Sequence, residues 1–290
     1  MKVTVLVEDS RGACPDVEPE FGLSLLLEGA FGTVLLDTGS SDRFARNADA
    51  LGVDLAAVDW LVLTHGHSDH GGGLATFLRR NPRAPVVLRR GAERPHYGTL
   101  APGLPGWLHR ARLLTREIGL DPQVLDDAGP RLRWIDADTA LVPGLRLLAV
   151  TAQPHPAPAG NRFLLQQREG RFLLDDFRHE LALVVYERDE AVLFSGCAHL
   201  GVLNLLEATR RDLPGVPVRA VIGGFHLVLP RSRRMAHPRS EVVALARTLR
   251  EAVTGPIYTG HCTGAEAFEV MAGELGSRLR ALTTGARFEV

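Results

Sequence analysis

The sequence predicts an α/β fold of four layers, an αββα sandwich in which two β-sheets pack face to face with helices outside. Two observations carry this expectation. Strand-like segments cluster in each half of the chain, and isolated amphipathic helical patterns separate them. At 290 residues the chain is long enough to bury one substantial core, and residues 1–290 are read as a single domain.

In order, segments 2–7, 23–28 and 33–36 are β-rich, and Gly29 and Gly32 mark a hairpin between the last two. Asp37-Thr38-Gly39 closes the third strand, and 42–51 has a weak helical pattern. Segment 60–64 is an apolar strand that runs straight into His65-Gly66-His67-Ser68-Asp69-His70 and three glycines. A helix over 74–80 follows, with Leu74, Phe77 and Leu78 on one face, and then a strand within 83–90. Between 91 and 130 the pattern breaks, with frequent Pro, Gly, Arg and His and one helical piece near 107–112. So long a stretch inside a compact domain reads as a lid or binding insertion. Strands resume at 132–135, 145–151, 163–167, 172–174, 181–186 and 191–195. The remainder reads as helix 200–211, strand 218–222, helix 240–252 (Val243, Leu245, Ala246 and Leu249 on one stripe), strand 257–259 and helix 265–275.

Thirty-three Lys and Arg against 34 Asp and Glu leave a formal charge of -1, which gives no global steering toward nucleic acid or an anionic membrane. Lys2 is the sole lysine, so the arginine abundance reads as a compositional habit before it reads as function. Cys14, Cys197 and Cys262 are too few and scattered for a disulfide scaffold. The N-terminus lacks the apolar core of a signal peptide, and no apolar run approaches the roughly eighteen residues of a membrane span. The expectation is a soluble, cytoplasmic protein acting on a small, anionic molecule, with no membrane or nucleic-acid partner. A homo-oligomer remains open.

The chemistry-bearing signal is Thr64-His65-Gly66-His67-Ser68-Asp69-His70. Four metal-capable side chains within six residues, at the end of an apolar strand, are poor core filling and good ligands for a borderline divalent ion. Alternation points His65 and His67 the same way, toward one ion, and Asp69 and His70 turn toward a neighbouring second ion. These four residues cannot complete two sites. Three distant segments compete to supply the rest: Ser195-Gly196-Cys197-Ala198-His199, Gly223-Gly224-Phe225-His226 and Gly260-His261-Cys262-Thr263-Gly264. Each follows a strand, as expected of a site assembled at one edge of two sheets.

These residues resemble a family. The THGHSDH stretch resembles the signature of the metallo-β-lactamase fold superfamily, which implies the αββα sandwich with a metal centre at one edge. FGLSLLLE, LLDTG, Asp175-Asp176, SGCAHLGVLN, VIGGFHL and GHCTG are similar, in order, to the subgroup of β-ribofuranosylaminobenzene 5'-phosphate synthase and dihydropterin synthase-like proteins. The similarity spans nearly the whole chain and fades over 91–158. It implies His65, His67 and His199 around a first ion, and Asp69, His70 and His261 around a second. Zinc is the expected metal, with iron or manganese as alternatives. Cys197 stands where most members place a bridging aspartate, and either ligates as a thiolate or packs beneath the site. His155 competes with His199 for the first ion. By resemblance Asp37 lies under the motif and orients a histidine. Asp175 and Asp176 either reach the centre or close a hairpin.

His226 sits where a substrate oxyanion or phosphate would be met, because the two preceding glycines expose backbone N–H groups. Cys262 and Thr263, at a helix start, are similarly placed for an anion. Arg90, Arg94, Arg110 and Arg112 offer themselves to phosphate or carboxylate, with a solvated surface as the competing reading. The expected activity is a metal-dependent hydrolase that activates water between two ions against a small phosphorylated or ester-like substrate, with Asp69 also positioning the nucleophile. The alternatives are a transferase like the subgroup's synthase and a non-catalytic metal-binding protein.

Overall fold

The computed structural model describes residues 1–111 and 114–290. In chain order its strands and α-helices are β1 Lys2–Val7, β2 Ser24–Gly29, β3 Gly32–Leu36, α1 Arg43–Ala50, β4 Trp60–Val62, α2 Ser68–Gly71, α3 Leu74–Arg80 and β5 Val86–Arg89. There follow β6 His96–Thr99, β7 Thr115–Glu117, α4 Pro122–Ala128, β8 Leu132–Ile135, β9 Thr139–Val142, β10 Leu145–Leu148, β11 Leu164–Arg168 and β12 Arg171–Leu174. The last are β13 Ala182–Glu187, β14 Glu190–Phe194, α5 Val202–Asp212, β15 Val218–Gly223, α6 Arg239–Ala252, β16 Ile257–Thr259, α7 Ala265–Leu275, β17 Leu279–Ala281 and β18 Arg287–Glu289.

Two seven-stranded sheets form the middle of the sandwich, in the orders β18-β1-β2-β3-β4-β5-β8 and β17-β16-β15-β14-β13-β10-β9. In each, an antiparallel part passes into a parallel part, at β3–β4 in the first and at β14–β15 in the second. Alternation explains why they face each other. Val3, Val5, Leu25, Leu27, Val34 and Leu36 turn inward and meet Leu145, Leu147, Leu183, Val185, Phe194 and Ile222 in one apolar layer. The opposite faces are equally apolar. Leu6, Leu26, Leu35 and Leu61 bury Phe44 of α1 and Phe77 of α3. Val184, Leu193 and Val221 bury Leu205 of α5, Ala246 of α6 and Met271 of α7. The expected four-layer plan is therefore observed.

Three local differences have physical causes. The buried stripe of α6 is Val242, Ala246 and Leu249, while Val243 and Leu245 flank it half-buried. The segment 91–130 carries more order than its pattern suggests: β6 and β7 join β11 and β12 in a third, four-stranded antiparallel sheet. Of these, β6 and β7 are short and mostly polar, and are specified by long-range pairing such as Gln166 with His96, not by local alternation. The 3-10 turn at Gly106–Ala111 falls where a helical piece was expected. Among the described residues no helix is long and apolar enough to cross a membrane.

Candidate metal centre

The site grows from the chain leaving β4. Thr64 N–H donates to Asp37 Oδ1 at 2.7 Å, and the Thr64 hydroxyl donates to Asp37 Oδ2 at 2.8 Å. His65 and His67 follow, and at Ser68 the backbone turns into the short helix α2, which carries Asp69 and His70. The glycines after it allow close contact, since a Cβ at Gly72 would lie 2.3 Å from the Ser40 carbonyl oxygen. The parallel strands β14, β15 and β16 end side by side and deliver the segments 195–199, 223–226 and 260–263 to the same edge. Gly196 has no room for a side chain, because a Cβ there would sit 2.2 Å from Thr64 Oγ1.

Two groups of ligand atoms result. The rings of His65, His67 and His199 form a near-equilateral triangle, with centroids 4.6, 4.9 and 5.0 Å apart. Asp69, His70, Cys197 and His261 form a second group, whose ligand atoms all lie within 4.8 Å of one another. Within it, His70 Nε2 lies 3.2 Å from Cys197 Sγ. His261 Nε2 lies 3.4 Å from Asp69 Oδ2, at ion-pair distance but not aligned as a hydrogen bond. Cys197 also groups with His65 and His199, so its sulfur lies between the two clusters.

The outer nitrogens explain which atoms face inward. His65 Nδ1 is 2.9 Å from Thr64 Oγ1, and His70 Nδ1 is 2.7 Å from Asp37 Oδ2. His199 Nδ1 is 3.0 Å from Asn161 Oδ1, and His261 Nδ1 is 2.8 Å from Asp9 Oδ1. The Thr64 hydroxyl spends its proton on Asp37, so it accepts from His65. All four rings then carry the proton on Nδ1 and present Nε2 as a lone pair. The Nε2 atoms of His65, His67, His199 and His261 are buried with no hydrogen-bond partner among the described residues. Orphaned buried imidazole nitrogens cost free energy unless something accepts their lone pairs. Their convergence with a carboxylate and a thiol fits a borderline divalent ion.

A family model described as the metallo-beta-lactamase superfamily matches residues 17–174, just over half the chain. The chain belongs to the metallo-beta-lactamase superfamily. It is 26% identical over 282 residues to 7,8-dihydropterin-6-methyl-4-(beta-D-ribofuranosyl)-aminobenzene-5'-phosphate synthase of Methanocaldococcus jannaschii, covering 92% of this chain and 89% of that one. Ribonuclease TTHA0252 of Thermus thermophilus is 30% identical over 223 residues, 72% of this chain but 45% of that one. Among solved structures, Tm1679, described as a metal-dependent hydrolase of the beta-lactamase superfamily, superposes with a TM-score of 0.80 at 27% identity. It covers 100% of this chain and 99% of its own.

The superfamily's metal-binding edge here has a divided electrostatic character. Burial, reinforced by neighbouring histidines, holds His65 and His199 well below the ordinary imidazole range, and burial does the same at His67 with His96 adding to it. At His70 burial acts in the same direction, but the Asp37 and Asp69 carboxylates outweigh it and raise the ring. Burial would also raise Asp69, yet His70 and His261 hold it well below the usual carboxylate range. Burial thus favours the uncharged form in the three-histidine group, while the carboxylates beside His70 work against it in the second.

The structure brings His65, His67, Asp69, His70, Cys197, His199 and His261 together at this edge. His155 joins none of these groups. Its backbone is tied to Asn204 by bonds of 2.9 and 2.8 Å, and its side chain lines an apolar cleft with Leu203, Phe225 and Leu245. Asp37 lies fully buried beneath the motif. Asp175 is buried against His96 and His179, whereas Asp176 is exposed and pairs with Arg168.

His226 is buried with its ring 4.2 Å from that of His199, and neither ring nitrogen has a hydrogen-bond partner among the described residues. Its expected backbone cradle is not free. Gly224 N–H donates to Gly196 O at 2.8 Å, Phe225 N–H to Thr263 Oγ1 at 3.0 Å and His226 N–H to Cys262 Sγ at 3.2 Å. These donors hold the three site segments together. Thr263 and Cys262 are consumed in the same contacts, which removes them as an anion site. Arg90 pairs with Asp136 on the surface and Arg94 reaches Gln166. Arg112 and the Arg110 side chain lie outside the described residues.

Sequence reasoning missed Asp9, Asn161, His96, His179 and Glu180. Both Glu180 carboxylate oxygens accept N–H groups of the His199 turn, from His199 and Leu200 at 2.7 Å each. Burial nonetheless pushes its carboxyl up to about 7. The one local signal available was the Phe177-Arg178-His179-Glu180 stretch after the noted Asp175-Asp176 pair.

Proposed function

We propose that the protein is a metal-dependent hydrolase whose dinuclear centre acts on a small phosphorylated or ester-like substrate. The observation that carries this reading is the convergence of buried, unpartnered Nε2 atoms on two adjacent points. His65, His67 and His199 would hold one ion, and Asp69, His70 and His261 the other, with Cys197 between them. When bound, two divalent ions supply Lewis acidity and lower the pKa of water. Zinc is the expected ion, given nitrogen, oxygen and sulfur donors together.

The chain's own residues supply the rest. Asp37, Thr64, Asn161 and Asp9 fix the tautomers of His65, His70, His199 and His261, so none of these four rings turns an N–H toward the centre. Asp69 presents a carboxylate at the centre and orients the attacking water. His226, whose ring nitrogens have no hydrogen-bond partner among the described residues, meets the substrate oxygen on the His199 side and donates or takes a proton there. A small anionic substrate fits an edge built of imidazoles. The relationship to the Methanocaldococcus jannaschii synthase over 92% of this chain supports a second reading, a synthase-like transferase at the same centre.

The test is elemental analysis of freshly purified protein, followed by assays on p-nitrophenyl phosphate, bis-p-nitrophenyl phosphate and a p-nitrophenyl ester. Two equivalents of zinc and metal-dependent turnover of one probe support the hydrolase. Two equivalents with no hydrolysis of any probe favour the transferase reading. Protein that neither carries nor takes up metal refutes both.

A further inference from the structure

The peptide between His65 and His67 is held from behind by a buried chain of side chains that the chemistry above does not use. Gly66 N–H donates to His179 Nδ1 at 3.1 Å. An imidazole that accepts at Nδ1 carries its proton on Nε2, and His179 Nε2 lies 3.2 Å from Asp175 Oδ2. The same oxygen takes His96 Nδ1 at 2.8 Å. Asp175 Oδ1 accepts Phe177 N–H at 2.9 Å, which fixes the carboxylate in turn. His96, Asp175 and His179 are 0%, 8% and 2% exposed. His96 sits on β6 and Asp175 just beyond β12, so the third sheet anchors the relay.

This arrangement is not another ion site, although His67, His96 and Asp175 lie close enough for one. The proton on His179 Nε2 points at Asp175, and both His96 ring nitrogens are engaged, Nδ1 with Asp175 Oδ2 at 2.8 Å and Nε2 with Gly91 O at 3.2 Å. Its geometry suits a different task. In an extended segment alternate N–H groups point the same way, and here Thr64 N–H binds Asp37, Gly66 N–H binds His179 and Ser68 N–H binds Ile118 O at 2.7 Å. The His179 bond is the middle anchor, on the peptide whose rotation would swing both His65 and His67. The fit is tight as well, since a Cβ on Gly66 would lie 2.4 Å from Ala92 O and 2.8 Å from His96 Nε2.

We propose that Asp175 and His179 are positioning residues for the three-histidine ion site, acting through the Gly66 peptide. The inference rests on the metal-centre reading above. Its test titrates the apo protein with cobalt, following the visible absorption of each binding step, with folding checked by circular dichroism. His179→Phe, which keeps volume but neither accepts nor donates, is expected to weaken the three-histidine step about 10- to 100-fold and leave the other step unchanged. His179→Asn, whose amide oxygen still reaches the Gly66 N–H, is expected to recover most of that loss. A residue that merely filled space would show the opposite order. If His179→Phe does not fold, Asp175→Asn is expected to show the same selective weakening. Folded His179→Phe or Asp175→Asn with wild-type affinities overturns the relay, as do equal losses in His179→Phe and His179→Asn. Wild-type protein that takes up no cobalt refutes the metal centre itself and the relay with it.

Discussion

Replacing Asp37 by asparagine tests whether tautomer control holds the centre together. Asp37 has φ +60°, a conformation asparagine adopts more readily than most residues, so the backbone imposes little confounding strain. Its carboxylate accepts three buried bonds, from Thr64 N–H, the Thr64 hydroxyl and His70 Nδ1. In Asp37→Asn the oxygen facing Thr64 N–H survives, and the oxygen facing the other two becomes an NH2 group that cannot accept. His70 must then accept at Nδ1, which moves its proton to Nε2, the atom 3.2 Å from Cys197 Sγ. The Thr64 hydroxyl must also turn, and the natural turn is toward His65 Nδ1, which places the His65 proton inward as well. One atom therefore removes a lone pair from each cluster. Loss of such a partner costs about 10- to 100-fold in metal affinity, or roughly 1.4–2.7 kcal/mol per site. Exchange of charged for neutral hydrogen bonds costs the apo fold about 1–3 kcal/mol. Calorimetric zinc titration of apo wild-type and Asp37→Asn protein, both folded by circular dichroism, measures the effect. Unchanged affinity at both sites would refute tautomer control by Asp37.

Cys197→Ala should lower zinc content from two equivalents toward one, while Cys197→Asp, restoring a carboxylate, should retain two; elemental analysis reads both, and full retention in Cys197→Ala would remove Cys197 from the ligand set. In competition at equal concentration the wild-type protein should load zinc over manganese, because a thiolate donor favours the softer ion. Stripping the metal with a chelator should lower the thermal midpoint, since the lone pairs of His65, His67, His199 and His261 are left buried and unpartnered. A midpoint that does not move would mean that bound metal adds nothing to stability. Phe77→Ala, at a fully buried position between α3 and the first sheet, should cost about 3–5 kcal/mol in denaturant unfolding without changing metal stoichiometry.

What the sequence makes legible follows from how local each signal is. Leu74–Arg80, Ile257–Thr259 and Ala265–Leu275 coincide with the segments read from periodicity, because each puts one apolar stripe on a core that alternation alone can announce. Two strands of the third sheet, β6 and β7, are silent for the converse reason. His96–Thr99 and Thr115–Glu117 carry no apolar alternation, and what makes them strands is pairing with each other and with β11. Helix α4 had a readable start that went unused, with Asp121 capping it and Pro122 in its first turn.

The site divides along the same line. Four of its metal-capable residues lie within one heptapeptide, so chemistry and spacing expose them. The residues that orient the site's ligands lie far away in the chain: Asp9 is 252 positions from His261, His179 is 113 from Gly66 and Asn161 is 38 from His199. No periodicity links such pairs, because a tautomer is set by one oxygen at one distance and by nothing along the chain between. Cys197 shows how tightly this geometry binds identity. Gly196 must be glycine because Thr64 and His70 occupy the space a Cβ would take, so the next residue, Cys197, reaches between the clusters, as Asp69 does from α2. A cysteine there delivers a single donor atom on a short stem where an aspartate would deliver two. On the proposed two-ion reading the clusters would share that one sulfur or divide it, and the choice would govern whether both ions are held equally.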